Sequence, residues 1–536
     1  MSKRMKRLGE FAKACVAACA IVVNVLWGAS AIGAAPDDAT RSDAGSAQGV
    51  QWVQTEEEWA VLALSGKKVG HVVTRTWTAG ELVKTDSTTT MTFGRVGESA
   101  RIEMQVSYVE TTGGKPISIT SMQKTSNQPV RMMVTFGEKT AEVVTEEGER
   151  ESRKSEPLPS EKWLTPRGVE ALMKEKVTSG AKAYSYATID PSNGLKPGHF
   201  QGKLKGKKTI QEGGKDVEVS EWEATSDMMP VTSTEFYDAE GVLIESRMPL
   251  GIGELVTRRT TKEEALANAE GGAAEILTPS FVKPDERLPN LDTAKSVTLR
   301  VKTKDGKALD LPSAGGQSVQ KTDDPSAELV TVQTEEGSEA TDAEKGDQAY
   351  LRASGPISSD DALVKKLADS AVRTVADEHG VKSDSAKAEA MRMRVFRHIS
   401  KKDLGTAFAS AAETAKTRTG DCSEHAVLLC AMLRSQGIPA RVATGLLYVD
   451  DGSMTGFFGW HMWTQALIDG KWVDFDATLG PKQRYHVGHI LTAATSLADD
   501  EPAGELMAVL TLLGNLEITV EKTASSSSTE NGGKGS

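Results

Sequence analysis

Gly420-Asp421-Cys422-Ser423-Glu424-His425 opens an apolar run, and Gly459-Trp460-His461-Met462-Trp463 and Trp472-Val473-Asp474-Phe475-Asp476-Ala477-Thr478 follow it. Asp421 is a good N-cap, and the run from Ala426 to Leu433 stays apolar until Gly437 and Pro439 stop it, so the spacing predicts a buried helix with Cys422 in its first turn. Free amides and the helix dipole at that position favour thiolate over thiol, and the same amides can form part of an oxyanion hole. His461 lies 39 positions after Cys422 (461 − 422), and Asp476 lies 15 after His461 (476 − 461). Met462–Ile468 and Lys471–Phe475 read as two strands joined by the tight turn Asp469-Gly470, which returns Asp476 to the neighbourhood of His461. A carboxylate there would fix the tautomer of the imidazole and stabilise its cation. A nucleophile, a base and an orienting group thus stand in chain order as candidate catalytic residues: Cys422, His461 and Asp476.

Each has a competitor. His425 is one helical turn from Cys422, but its cation is disfavoured at a helix N-terminus, which leaves it a supporting role. Asp474 is two positions short of Asp476 on the same strand face. Cys430 is expected to serve packing only.

These residues also carry a family resemblance. Gly420-Asp421-Cys422, then Leu433 to Val442 (Leu-Arg-Ser-Gln-Gly-Ile-Pro-Ala-Arg-Val), His461-Met462-Trp463, and Trp472 through Thr478 resemble the transglutaminase-like superfamily over about residues 358–500. The resemblance implies a papain-like cysteine fold with Cys422, His461 and Asp476 in the triad positions. It places His489 in a His-Ile pair of the kind found downstream in bacterial members. The implied activity is acyl transfer from a peptide-like amide to water or to an amine, with a protein or peptide as substrate. A non-catalytic binding or assembly module on the same fold is the alternative. No calcium loop is present, no upstream oxyanion donor is assignable, and no cofactor or metal is implied.

Before this region two helices are expected. Leu363, Leu367, Ala371 and Val375 fall on one face between a cap at Asp360 and a stop at Gly380, and Ala388, Met391, Val395 and Ile399 form the buried stripe of the second. Met391 and Met393 read as core fillers, with the Arg and Lys residues between them on a solvated face. Further back, residues 51–270 read as a β-rich accessory domain: an antiparallel, strongly bent sheet of short alternating segments such as Arg101-Ile102-Glu103-Met104-Gln105-Val106-Ser107-Tyr108, with one helical insertion near Lys162–Lys176. His71 and His199 in it read as structural or surface residues. Residues 271–355 read as a linker with a small β module, in which Thr334–Asp347, acidic and aperiodic, is a loop. Residues 356–522 form the transglutaminase-like domain, and 523–536 a disordered tail. The fold class expected is therefore α+β, helices packed on an antiparallel sheet after a β-rich N-terminal domain.

The first 35 residues have another character. Lys3, Arg4, Lys6 and Arg7 precede an apolar run from Ala14 to Trp27 and small residues to Ala35, the order of a cleaved secretory signal, with an uncleaved anchor as the alternative; residues 36–50 read as a linker. Five basic residues and Glu10 leave with the signal, so the net charge moves from −12 to −16 (−12 − 4). Such an acidic chain is a poor ligand for nucleic acid. No other stretch is apolar enough for a transmembrane span, so the mature protein is expected to be periplasmic or secreted. Cys15 and Cys19 leave as well. Cys422 and Cys430, eight positions apart on one helix, are about 12 Å from each other and cannot form a disulfide.

Overall fold

A computed structural model describes residues 51–525 apart from 96–97, 127, 149, 192–193, 268–273, 276–277, 335–336, 380–382, 403–407, 499–508 and 510. The expected signal and the linker before residue 51 lie outside the described residues. Among the described residues no helix is long and apolar enough to cross a membrane. Among the described residues the chain is α+β, with three sheets that are antiparallel apart from the short parallel pairing of Ala274–Glu275 with Leu82–Arg95, and with most of the helices gathered on the last of them.

Alternation builds the first sheet. Along Arg101–Tyr108 the apolar positions Ile102, Met104, Val106 and Tyr108 are buried and the polar ones between them face outward, as a period of two requires. Fourteen strands follow a double meander: those from Val53 to Pro157 each pair with their sequence neighbour, as do those from Ala183 to Thr260. The two runs join where Val53–Leu64 pairs with Gly253–Thr260, in the register Trp59↔Thr260 and Leu64↔Leu255. The sheet curls far enough for the Tyr108 hydroxyl to donate to the carbonyl of Ile189. Some strands are invisible to an apolar pattern. Arg150–Pro157 is charged and polar throughout, as suits an edge strand. The helical insertion spans Pro166–Thr178, starting where Thr165 caps and proline occupies the first turn.

Glu58 sits in this sheet with its pKa pushed up to about 9, first by burial and then by the charges of Glu170 and Glu56. A carboxyl raised in the folded state holds its proton there after the unfolded chain has lost it, so its contribution to stability falls as pH rises from the ordinary carboxylate range towards 9. Glu58→Gln should therefore melt at a higher temperature than wild type at pH 8, with the difference vanishing near pH 4, as thermal melts at the two values would check.

The second sheet has the order Gln317–Lys321, Ala327–Gln333, Ala294–Thr303, Leu516–Ser525. Its last strand comes from the far end of the chain, in the register Arg300↔Thr519 and Val297↔Thr523. Thr523, Ala524 and Ser525, expected in the tail, instead continue this strand because Ala294–Thr303 offers them a pairing edge. The small β module thus brackets the helical domain. The third sheet has the order Ser338–Glu339, Lys471–Phe475, Phe457–Ile468, Ala440–Val449, His489–Thr495. One apolar core, containing Leu62, Phe93, Val297, Val330, Trp460 and Ile490, joins all three sheets. A second fills the space between the helices and the third sheet, with Val364, Met391, Leu428, Met462 and Phe475.

Two expectations about charged residues need correction. In the acidic stretch 334–347 the part from Ser338 on is docked: Ser338–Glu339 pairs with Lys471–Phe475, Thr341 and Glu344 form a capping box on the helix Asp342–Gly346, and Glu344 Oε1 accepts from Arg441 Nη1 at 2.8 Å and Trp472 Nε1 at 3.1 Å. Arg392, between Met391 and Met393 on the helix Asp384–His398, is not on a solvated face but fully buried. Its guanidinium donates to the carbonyls of Asp476 at 3.1 Å, Leu479 at 2.7 Å and Gly480 at 3.2 Å and to both carboxylate oxygens of Glu389 at 2.8 and 2.7 Å, so the buried charge is hydrogen-bonded and paired.

Candidate active site

The cysteine helix spans Cys422–Ser435, and from Cys422 to Arg434 every residue is buried. Asp421 caps it by accepting from the Ser423 amide at 2.9 Å, while Glu424 reaches back to the Asp421 amide at 2.8 Å. Gly420 is required by this closure: a Cβ there would stand 2.4 Å from the Cβ of Glu424. The other oxygen of Glu424 accepts from the Ala409 amide at 2.9 Å, tying the preceding loop to the helix start. The accessory sheet reaches the same loop. Thr125 Oγ1 donates to the Phe408 carbonyl at 3.1 Å, and Ser126 Oγ to Glu413 at 2.6 Å.

The helix packs on the strand Phe457–Ile468, where Thr464 Oγ1 donates to the Ala426 carbonyl at 3.0 Å. That strand turns through Asp469 (φ 52°) and Gly470 (φ 80°) into Lys471–Phe475, with Ile468↔Lys471 and Thr464↔Phe475 paired. Two positive φ values in a two-residue turn match the right-handed twist of the strands.

The hairpin brings His461 Nε2 within 2.8 Å of Asp476 Oδ2. Asp476 Oδ1 accepts from the Thr478 amide at 2.8 Å and its hydroxyl at 2.6 Å. A second histidine meets the same carboxylate. His489 begins the strand His489–Thr495, which pairs with Ala440–Val449, and its Nε2 lies 3.1 Å from Asp476 Oδ2 while Nδ1 lies 2.9 Å from the His486 carbonyl. Burial alone would raise the Asp476 carboxyl, but the charge and hydrogen bonds of His461 together with His489 overcome it and hold the group well below the usual carboxylate range. Cys422, His461 and Asp476 are all fully buried.

The competing residues have other partners. Asp474 accepts from Trp463 Nε1 at 2.7 Å, Gln465 Nε2 at 2.9 Å and the Gly316 amide at 2.7 Å, so it fastens the small β module to the third sheet. His425 donates through Nδ1 to the Asp421 carbonyl, and its Nε2 lies 2.7 Å from Lys402 Nζ. Burial first, and Lys402 next, depress its pKa to about 3, so the ring is neutral. Burial raises the Cys430 thiol, in keeping with a packing role. The contact of Lys402 with His425 and those of Arg392 with the carbonyls of residues 476–480 left no local signal, because they depend on residues brought together by the fold; only the ion pair of Arg392 with Glu389 is local.

His461, Asp476 and His489 are also a set of donors whose ligand atoms lie within 4.8 Å of one another. The direct bonds to Asp476 account for this closeness.

Residues 371–477 match the model of the transglutaminase-like superfamily. No curated protein matches the chain. Among solved structures, a β-barrel-like protein of a domain of unknown function from Brucella abortus is 14% identical, with 40% of this chain and 96% of that one covered and a TM-score of 0.30. The periplasmic domain of TgpA from Pseudomonas aeruginosa, bound to ethylmercury, is 16% identical, with 37% and 88% covered and a TM-score of 0.24. Over residues 371–477, this chain carries a domain of the transglutaminase-like superfamily.

Proposed function

We propose that this protein is an exported, cysteine-dependent acyl transfer enzyme that acts on peptide-like amides of a protein or peptide substrate. The supporting observation is the buried Asp476 carboxylate, hydrogen-bonded to His461 at 2.8 Å beside the helix that Cys422 begins. With its Nε2 proton given to Asp476, His461 receives the thiol proton at Nδ1. The Cys422 thiolate attacks the amide carbonyl, and the carbon–nitrogen bond breaks as His461 returns the proton to the leaving amine. Water or a second amine then attacks the thioester, His461 takes its proton, and the thiol is restored. Water gives a peptidase or amidase, and a lysine-like amine gives a cross-linker. Lys3, Arg4, Lys6 and Arg7 and the apolar run after them support export through a signal removed near Ala34 or Ala35.

Alkylation of Cys422 by iodoacetamide across pH tests the chemistry. Wild type should react about tenfold or more faster at pH 6.5 than an ordinary thiol, and His461→Ala should abolish the advantage. A wild-type rate equal to that of an ordinary thiol rejects the enzyme. The complete burial of Cys422, His461 and Asp476 favours a second reading, a binding or assembly module whose cleft stays closed.

A further inference from the structure

Lys402 stands at the mouth of the cysteine helix. Its backbone is fixed there by a short ladder: Ser400 N donates to the Arg418 carbonyl at 3.1 Å, and Gly420 N to the Lys401 carbonyl at 3.1 Å, directly before the Asp421 cap. The side chain is half-buried, and its ammonium donates to His425 Nε2 across 2.7 Å. The direction of that bond is set by the imidazole. His425 Nδ1 carries the proton given to the Asp421 carbonyl, so Nε2 presents a lone pair, and only the lysine can be the donor.

A cation at this place is unfavourable as structure. The first turn of a helix is its positive end, and it repels an ammonium as it attracts an anion. The partner on the imidazole is neutral and cannot balance the charge. Burial accordingly lowers the Lys402 pKa, while the charges that oppose this are those of Asp476, Cys422 and Asp421. Cys422 and His425 are three positions apart, and such residues are neighbours on one helical face. The ammonium anchored on His425 is therefore set beside the sulfur, with two of its three protons uncommitted to that bond.

We propose that Lys402, positioned by His425, supplies the positive charge that stabilises the anion at Cys422, first the thiolate and then the oxyanion formed when an acyl group adds to sulfur. The proposal rests on the reading of Cys422 as the nucleophile. It gives the site an oxyanion partner from a segment far from the helix amides, and it makes His425 a positioning residue with no proton to transfer.

Paired alkylation of the full chain by iodoacetate and iodoacetamide tests it, because the two reagents differ in charge. In Lys402→Gln, the pH at which the Cys422 rate is half-maximal should rise by about one unit, a tenfold loss in thiolate at a given pH below it. The ratio of iodoacetate to iodoacetamide rates should fall at least threefold. Lys402→Arg should keep the ratio, and His425→Ala should lower it by freeing the lysine. A folded Lys402→Gln protein with both quantities within a factor of 1.5 of wild type overturns the proposal. If that variant does not fold, the wild-type ratio decides: it should drop as salt is raised from 0.01 to 0.5 M, and a constant ratio overturns the proposal. Failure of the enzyme reading has a different signature, an ordinary wild-type thiol rate unaffected by His461→Ala. Even then the anionic reagent must lose its advantage in Lys402→Gln, since charge beside the sulfur acts without turnover.

Discussion

Asp476→Asn is expected to slow acylation of Cys422 by a p-nitrophenyl ester about 10⁴-fold, the order of loss when a triad keeps its shape but its histidine is held in the wrong tautomer. Asp476 Oδ2 accepts from His461, and Oδ1 accepts from two groups of Thr478. An asparagine has one accepting oxygen. If that oxygen stays with Thr478, the amide nitrogen confronts His461 Nε2 and turns the ring's proton to Nδ1, the side that must accept from the thiol. Asp476→Ala should additionally destabilise the domain by about 3 kcal/mol or more, because it removes the acceptor of two buried histidines. Stopped-flow release of p-nitrophenol and denaturant melts measure the two effects. A loss of less than tenfold in Asp476→Asn would exclude Asp476 as the orienting carboxylate.

Arg392→Ala should be the most destabilising single substitution in the helical brace, at about 3–5 kcal/mol. The side chain is fully buried, and its guanidinium holds the carbonyls of Asp476, Leu479 and Gly480. Truncation leaves three acceptors without their donor and opens a cavity of arginine size. In a domain of this size the thermal midpoint should fall by roughly 6–20 °C, at about 2–4 °C per kcal/mol. Arg392→Lys should recover little, since one ammonium cannot reproduce the planar fork. A fall below about 3 °C in Arg392→Ala would show that the 476–480 turn holds itself. The loss should also reach the site, because the clamped carbonyl belongs to Asp476 itself.

The stretch from Gly420 to Thr478 was legible because its signals are local. A cap, an apolar run, a Gly-Ile-Pro stop and an Asp-Gly turn each act within a few residues, and together they set the helix, both strands and the approach of His461 to Asp476. The rest depends on distance along the chain. His489 stands in a recognisable His-Ile pair, yet its contact with Asp476 requires the pairing of His489–Thr495 with Ala440–Val449. Arg392 carries every mark of a surface residue in a helix of low apolar content, and its burial is made tolerable by Glu389 one turn before it together with the carbonyls of a turn that begins 84 positions away (476 − 392). Glu344 misled in the same way, because Arg441 and Trp472 meet it from another part of the chain. Charged side chains lose their sequence meaning where the fold supplies a partner.

The bracketing of the helical domain by Ala294–Thr303 and Leu516–Ser525 sets an order of events in time. The two strands are separated by 219 residues at the pair Arg300↔Thr519 (519 − 300), so the small sheet cannot close until the entire domain between them has emerged. A chain that appears N-terminus first must keep Ala294–Thr303 waiting with one edge unpaired, through the folding of the very domain that contains Cys422. Completion of that sheet is thus a record that synthesis has passed Ser525. A chain cut short before Leu516 would present a vacant strand edge, the kind that templates association between copies, and would be marked by it as unfinished.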